Sequence, residues 1–346
     1  MINIVHKRKT MIVEYINSRS RHAEFDESLT GIGVYNMFDA LYLSLLEVKK
    51  HGGYAGYRPN VVILFGGKFE KLYKTSDDEE GHHILTTQLA PWMSMVMHVN
   101  RVAAAGCDVR IVLTGRGGYS DKAVEEYASE LMKCSGMKQK GVELVRKKEQ
   151  GDASEEILRT ADACMTVPPA STHTHDEDAE TLERRRKCVL LPSLPLPTPL
   201  LQRHKRKKDE GAVREIHVFM SDSIVEIERK FARAAVCPTA PDIDASNKDT
   251  VTQTSSSSSC VEYVERIIFP WYGNFVVGET EYETFDGFLQ DFQDRDNGFI
   301  RPNDLKTGLA RAVNSMLDPV RHHFAHASTG DDDVINGMRR LRTSSS

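Results

Sequence analysis

Hydrophobic positions change their spacing several times along the chain, and each change predicts an element. Val34, Phe38, Leu41, Leu45 and Val48 recur at three-and-four spacing until His51-Gly52-Gly53 interrupts them, which predicts a helical N-terminal segment over residues 1–58. Its apolar stripe is the kind that covers a core or an interface. Val61-Val62-Ile63-Leu64-Phe65 is instead an unbroken β-branched run stopped by Gly66-Gly67, the pattern of a strand buried in a parallel sheet. Past an acidic, polar stretch (Thr75 to Gly81), Met93, Val96, Met97, Ala103 and Ala104 trace a helix that starts at Pro91 and ends at Gly106. Val109-Arg110-Ile111-Val112-Leu113 follows as a second strand. Strand, helix, glycine, strand is a βαβ unit, so the two runs are expected to be neighbouring parallel strands. A helix over Val124 to Cys134 and a strand at Val142–Val145 extend the alternation, and the predicted fold class is α/β with a mostly parallel sheet.

Two segments interrupt this pattern. Pro168 to Asp178 and Pro192 to Pro199 are loops by composition, and the second runs into the cationic stretch Arg203-His204-Lys205-Arg206-Lys207-Lys208. Ile216-His217-Val218-Phe219-Met220 alternates like a last strand. Asp222-Ser223 then suits the cap of a helix whose apolar face carries Ile224, Ile227, Phe231 and Ala235. A polar insertion with Ser255 to Ser259 precedes two or three further helices. The clearest runs from Pro302 to Phe324, with Leu305, Leu309, Val313, Met316, Leu317 and Val320 on one side. The resulting organisation is a helical segment at 1–58, an α/β domain at 59–222, a helical domain at 223–327 and a disordered tail at 328–346.

Composition narrows the function classes. Forty-five lysines and arginines stand against 50 aspartates and glutamates, a formal charge of −5, so nucleic-acid contact must come from local basic patches rather than an overall cationic field. No apolar run approaches the roughly 20 residues of a membrane span, and the N-terminus lacks the apolar core of a secretory signal. No membrane partner is expected, and the location is expected to be cytoplasmic. Cys107, Cys134, Cys164, Cys188, Cys237 and Cys260 form no Cys-x-x-Cys pair, as suits reduced thiols. No metal ligand set is expected.

Few residues carry chemistry by pattern alone. Gly66-Gly67-Lys68 lacks the leading glycine and trailing Ser or Thr of a phosphate loop and reads as a strand-end turn. His82-His83 and His322-His323 are adjacent pairs, whereas ligands on one helix face need three-or-four spacing, so they read as surface residues. His173 and His175 lie beside acids in a loop that nothing fixes. Arg184-Arg185-Arg186-Lys187 and Arg203 to Lys208 are solvated loops unless the ligand is RNA, for which clustered cations suffice. Asp304 opens the last long helix, where it either complements the helix N-terminus or reads a base, since a carboxylate can accept both N–H groups on the Watson–Crick edge of an unpaired guanine.

One resemblance joins these fragments. Ile300-Arg-Pro-Asn-Asp304-Leu-Lys306 through Leu317-Asp-Pro319-Val-Arg321 resembles the end of tyrosyl-tRNA synthetases of the archaeal/eukaryotic type, which close on a His-Pro-x-Asp-Leu-Lys helix running to Leu-x-Pro-Ile-Arg. The likeness extends back through Ile267-Ile-Phe-Pro270, the Ile227 helix and Ile216 to Asp222. Further upstream it takes in Ala90-Pro91-Trp92 to Leu113 and Tyr119-Ser-Asp121. The family's His-Ile-Gly-His signature falls here on Leu85 to Gln88, its Lys-Met-Ser-Lys-Ser loop on Lys205-Arg-Lys-Lys-Asp209, and the strand and helix of its tyrosine pocket on Val167 to Val189, which contain neither Tyr nor Gln.

The resemblance implies a degenerate Rossmann-like class I synthetase core followed by an α-helical anticodon-binding domain. Some protozoan members carry two copies in tandem, and this chain resembles such a degenerate second copy. It would bind tRNA(Tyr) and complete a dimer-like assembly with a catalytically intact half, fused or separate. No catalytic residue is expected here, and ATP and Mg²⁺ are expected only in the intact half. Asp304 would read the first anticodon base, with Trp271 or Phe275 stacking on an unpaired base. Arg301, Lys306, Lys205, Arg206, Lys207 and Lys208 would attract phosphate. A divergent but active ligase and a protein-interaction scaffold without RNA binding are the alternatives.

Overall fold

The computed structural model describes residues 60–66, 69–73, 83–104, 106–113, 121–146, 161, 163–167, 189–191, 196–200, 217–234, 236, 258–293 and 300–326. The N-terminal segment, the loop with His173 and His175, both basic runs and the tail lie outside these residues, whereas His83 opens a strand and His322 and His323 lie in the last helix. The chain divides into two compact units, one comprising Met1–Pro195 and Val320–Ser346, the other Leu196–Pro319.

The first unit is built on a five-stranded sheet in the order β5-β4-β1-β6-β7. Its strands are β1 (Asn60–Phe65), β4 (Asp108–Leu113), β5 (Val142–Arg146), β6 (Ala163–Val167) and β7 (Val189–Leu191), and every adjacent pair is parallel. β1 occupies the centre because its run has no polar position to turn toward water: Val61, Val62, Ile63 and Phe65 are at most 1% exposed. Val61 pairs with Val109, the arrangement that the βαβ pattern predicts. The crossover holds more than a helix. Two short strands, β2 (Phe69–Tyr73) and β3 (His83–Thr87), pair antiparallel as a separate ribbon before α1 (Leu89–Ala104) begins.

α1 is buried from Leu89 through Val99, including Trp92 and Ser94, so it reads as a core helix rather than a surface one. It closes where Gly106 donates to the Ala103 carbonyl and Cys107 to that of Val102. α2 (Asp121–Cys134) lays Tyr127 on Phe69, at 6.2 Å between ring centroids, and on Phe324 at 6.0 Å. His323 pairs with Glu130 of the same helix at 2.8 Å.

His98, 1% exposed in the middle of α1, makes this core sensitive to pH. Burial, helped by the Arg101 charge, holds its imidazole well below the ordinary 6.5. The unfolded chain therefore binds a proton that the folded one refuses in the interval beneath that value, so stability is fully present above it and falls as the pH drops through it. Urea midpoints at pH 7.5 and 5.5 should differ more for the natural chain than for His98→Gln. Equal differences would remove His98 as the cause.

In the second unit, α3 (Ile224–Arg233) starts from a capping box: Ser223 accepts from the Glu226 N–H, and the Glu226 carboxylate accepts from the Ser223 N–H at 2.9 Å. Asp222 is not part of the cap. Its Oδ2 accepts from Lys230 Nζ at 2.5 Å and from the Phe219 N–H at 2.8 Å, and both side chains of the pair are 0% exposed. Lys230 also sits 5.1 Å from the centroid of the Phe219 ring. Burial keeps the Asp222 carboxyl above the ordinary value even with this ammonium beside it.

These contacts correct two expectations. The run read as a last strand becomes a single bridge residue at Phe219 followed by a turn, because Asp222 takes the Phe219 N–H that a ladder would need. Ile224 lies outside the apolar face and is 49% exposed, since the capping box places it in the first turn, while Ile227 and Phe231 are 0% exposed.

Leu196 to Pro199, the described part of the proline-rich stretch, has the irregular structure expected of a loop and straps across α4 (Ser259–Tyr263). Thr198 N–H donates to Glu262 at 2.6 Å, Ser259 Oγ to the Pro199 carbonyl at 2.9 Å, and Arg266 Nη1 to the Leu196 carbonyl at 2.8 Å. α4 continues through a π-helical turn, Val264–Ile268, into α5 (Phe269–Tyr272). A hairpin of β8 (Phe275–Val277) and β9 (Thr280–Tyr282) follows, then α6 (Phe285–Gln293) and α7 (Pro302–His326). Every apolar position assigned to one side of α7 is buried, with Leu305, Leu309, Val313, Leu317 and Val320 at 0%.

Candidate functional site

Two places in the fold could do chemistry. In the first unit, β4 and β5 lie to one side of β1 and β6 and β7 to the other, so the strand order reverses at β1. A parallel sheet opens its ligand crevice at the carboxyl ends of its strands at such a point. Gly66 N–H donates to the Val167 carbonyl at 2.8 Å, which ties the ends of β1 and β6 together there. The strands end in Leu64-Phe65, Val112-Leu113 and Thr166-Val167, with no ionisable side chain. Leu85, Thr86 and Thr87, on the approach to α1, are at most 2% exposed, and Thr86 and Thr87 adjoin the buried Tyr127. The neighbouring strand β5 ends in Arg146, opposite Leu113 in the ladder. No group of three or more His, Cys, Asp or Glu among the described residues suits a metal ion.

The second place is the corner where α5 turns into β8. Gly273 closes α5 in the left-handed region at φ 79, donating to the Phe269 carbonyl, and this tight reversal sends β8 back along α7. The approach is close. A Cβ at Gly308 would stand 2.7 Å from the Val276 carbonyl oxygen and 3.4 Å from the Phe275 ring, so only glycine lets the helix backbone lie there. One turn toward the C-terminus, the Ala312 carbonyl accepts from the Tyr272 hydroxyl at 3.0 Å. One turn toward the N-terminus stands Asp304, on the same face as Gly308 and about 6 Å further along the axis. It is half-buried in the first turn, where backbone N–H groups lack helical partners, and among the described residues it makes no ion pair.

The aromatic residues divide by exposure. Phe275 is 2% exposed, edge-on to Phe288 at 5.6 Å and to Phe269 at 6.4 Å, so its ring belongs to the core. Trp271 is half-buried on α5. Tyr272, which sequence reasoning passed over, is 39% exposed, with its ring held by the bond to Ala312. A hydroxyl that ties back to a helix carbonyl leaves the ring face as the available surface, a platform suited to stacking. No spacing signal distinguishes Tyr272 from its neighbours; only the direction of the α5 turn does. Arg301 is exposed, whereas Lys306 donates to the Ala232 carbonyl at 2.8 Å. Lys205, Arg206, Lys207 and Lys208 lie outside the described residues.

A parallel α/β sheet followed by C-terminal helices is the architecture of solved class I synthetases. The structure of Leishmania major tyrosyl-tRNA synthetase with tyrosinol superposes with a TM-score of 0.55 at 16% identity over 88% of this chain and 51% of that one. Tyrosyl-tRNA synthetase from Aeropyrum pernix gives 0.54 at 16% over 88% and 98%. No protein-family model matches the chain. In sequence it is 26% identical over 300 residues to cytoplasmic tyrosine–tRNA ligase 2 of Arabidopsis thaliana, covering 68% of this chain and 38% of that protein. In sequence and in fold the chain is distantly similar to tyrosyl-tRNA synthetases. It spans little more than a third of the length of the curated relatives it matches, 38% and 35%.

Proposed function

We propose that this chain is a non-catalytic half of a cytoplasmic tyrosine–tRNA ligase assembly, which binds the anticodon of tRNA(Tyr) while a catalytically intact half, fused or separate, supplies ATP- and Mg²⁺-dependent chemistry. The observation that carries this reading is the corner at α7: a half-buried carboxylate, Asp304, at the open end of a helix, one turn from the strand that approaches at Gly308. Two turns further along the same helix, about 12 Å along its axis, the Ala312 carbonyl holds the exposed Tyr272 ring by its hydroxyl. A carboxylate to accept two guanine N–H groups and an aromatic face to stack an unpaired base are together sufficient for reading an anticodon base. Arg301 and the run Lys205 to Lys208 add phosphate attraction without base preference.

The sequence supports the other half of the proposal. Activating a carboxylate with ATP needs preorganised cations and donors around the reacting phosphate, and where the resemblance puts the family's signature and tyrosine pocket this chain has Leu85 to Gln88 without an imidazole and Val167 to Val189 without Tyr or Gln. The match to 51% of the Leishmania chain but 98% of the Aeropyrum chain is consistent with a unit of this size serving either as a chain or as part of one.

Two measurements on the purified chain test the proposal. Tyrosine-dependent ATP–pyrophosphate exchange should equal a no-enzyme control, and an anticodon stem-loop of tRNA(Tyr) should bind with a preference for guanine at the first position. Exchange that scales with chain and tyrosine would make it a divergent ligase. Loss of all RNA binding would leave the scaffold alternative.

A further inference from the structure

The contact made by Lys306 differs from the phosphate role that its sequence position implies. Its Nζ donates to the Ala232 carbonyl at 2.8 Å. Ala232 lies in the last turn of α3, where helix carbonyls have no partner within the helix and where the dipole favours a cation. The side chain is half-buried, and its charge also reaches the Cys260 thiol at the start of α4. α3 is a firm anchor, since the capping box fixes its first turn and the Asp222–Lys230 pair its middle. From the β8 side, the contact at Gly308 seats the same stretch of α7. The turn that bears Asp304 is therefore held at two points.

Helix ends fray, and a two-point contact with a base demands that both carboxylate oxygens stay within about 0.5 Å of their places. Resting on the anticodon-binding reading, we propose that Lys306 is a positioning residue of the base-reading site. By latching the first turn of α7 to the end of α3, it holds the Asp304 carboxylate where it can accept both N–H groups of a guanine. Lys306 then contributes to discrimination between bases rather than to general phosphate attraction.

The test compares the natural chain with Lys306→Gln, Lys306→Arg and Asp304→Ala, with circular dichroism confirming the fold of each. Without RNA, hydrogen exchange of the amides at 305–309 should quicken several-fold in Lys306→Gln and stay near the natural rate in Lys306→Arg; unchanged exchange in Lys306→Gln overturns the latch. With RNA, guanine-first and adenine-first anticodon stem-loops are titrated at several salt concentrations. Lys306→Gln should lower the affinity ratio about five-fold or more and leave the salt slope unchanged, and Lys306→Arg should restore the ratio. An intact ratio with a slope reduced by about one assigns Lys306 to a phosphate and refutes the positioning role. If the natural chain and Asp304→Ala fail alike to discriminate, base reading falls and the positioning role falls with it, whereas the exchange rates still decide whether the latch exists.

Discussion

Lys230→Met lowers the stability of the second unit by about 3–5 kcal/mol, the largest effect expected of any single change described here. The loss arises less from the missing attraction than from what is left behind. Asp222, 1% exposed, keeps a carboxylate with no ammonium at 2.5 Å, and burial already holds its carboxyl above the ordinary value. The Phe219 N–H that Asp222 accepts then depends on a carboxyl driven toward neutrality, so the turn ahead of α3 loosens too. Replacing both partners removes that penalty: Asp222→Asn with Lys230→Met should recover much of the loss, as buried pairs exchanged for neutral groups commonly do. The measurement is hydrogen exchange of the α3 amides as a function of urea, which reports this unit rather than the whole chain. A single-variant loss under 1 kcal/mol, or a double variant no better than the single, would refute the account.

Asp304→Ala costs about 1–3 kcal/mol of binding free energy for a guanine-first anticodon stem-loop, or roughly 5- to 150-fold in affinity. For a loop with that base replaced, the cost should be much smaller. This selectivity is what separates base reading from the other role open to a carboxylate in a first helical turn, which is to complement the dipole. A dipole role would weaken the fold, and hence both RNAs, by the same factor. Titration of both loops at one ionic strength, with circular dichroism of the variant, decides between them. Equal losses, or none, leave Asp304 as a structural acid. Truncating Tyr272 in the same assay gives the contrast, because stacking tolerates any base and its loss should lower both affinities together.

What could be read beforehand follows from how much of each element is specified locally. β1 and β4 are legible because parallel central strands want continuous β-branched runs, and Val61–Phe65 and Val109–Leu113 are such runs. α7 is legible because its stripe sustains helical spacing over many turns, all of it buried. β6, Ala163–Val167, contains Ala-Cys-Met and carries almost no strand signal; its place beside β1 comes from the sheet that receives it.

At the candidate site the limit is different. The resemblance points to Asp304, and the structure places it at the open end of a helix, but nothing in Trp271-Tyr272-Gly273-Asn274-Phe275 tells which ring faces outward. Gly273 decides that by the sharpness of its turn, which puts Phe275 inside and leaves Tyr272 exposed. Lys306 likewise has the composition of a phosphate contact and the geometry of a strut.

The all-parallel sheet has a consequence for the order in which the chain acquires structure. Val61 pairs with Val109 on one side and Ala163 on the other, partners about fifty and a hundred residues downstream. Parallel strands have no short hairpin to bring them together, so the central strand cannot complete either edge from its own neighbourhood. During synthesis at about 5–20 residues per second, Val61–Phe65 emerges on the order of ten seconds before its second partner. Throughout that interval the central strand, apolar from Val61 to Phe65, has an open edge. Its safety in the nascent state then depends on α1, which is made in between and can cover one face of β1 before the sheet closes.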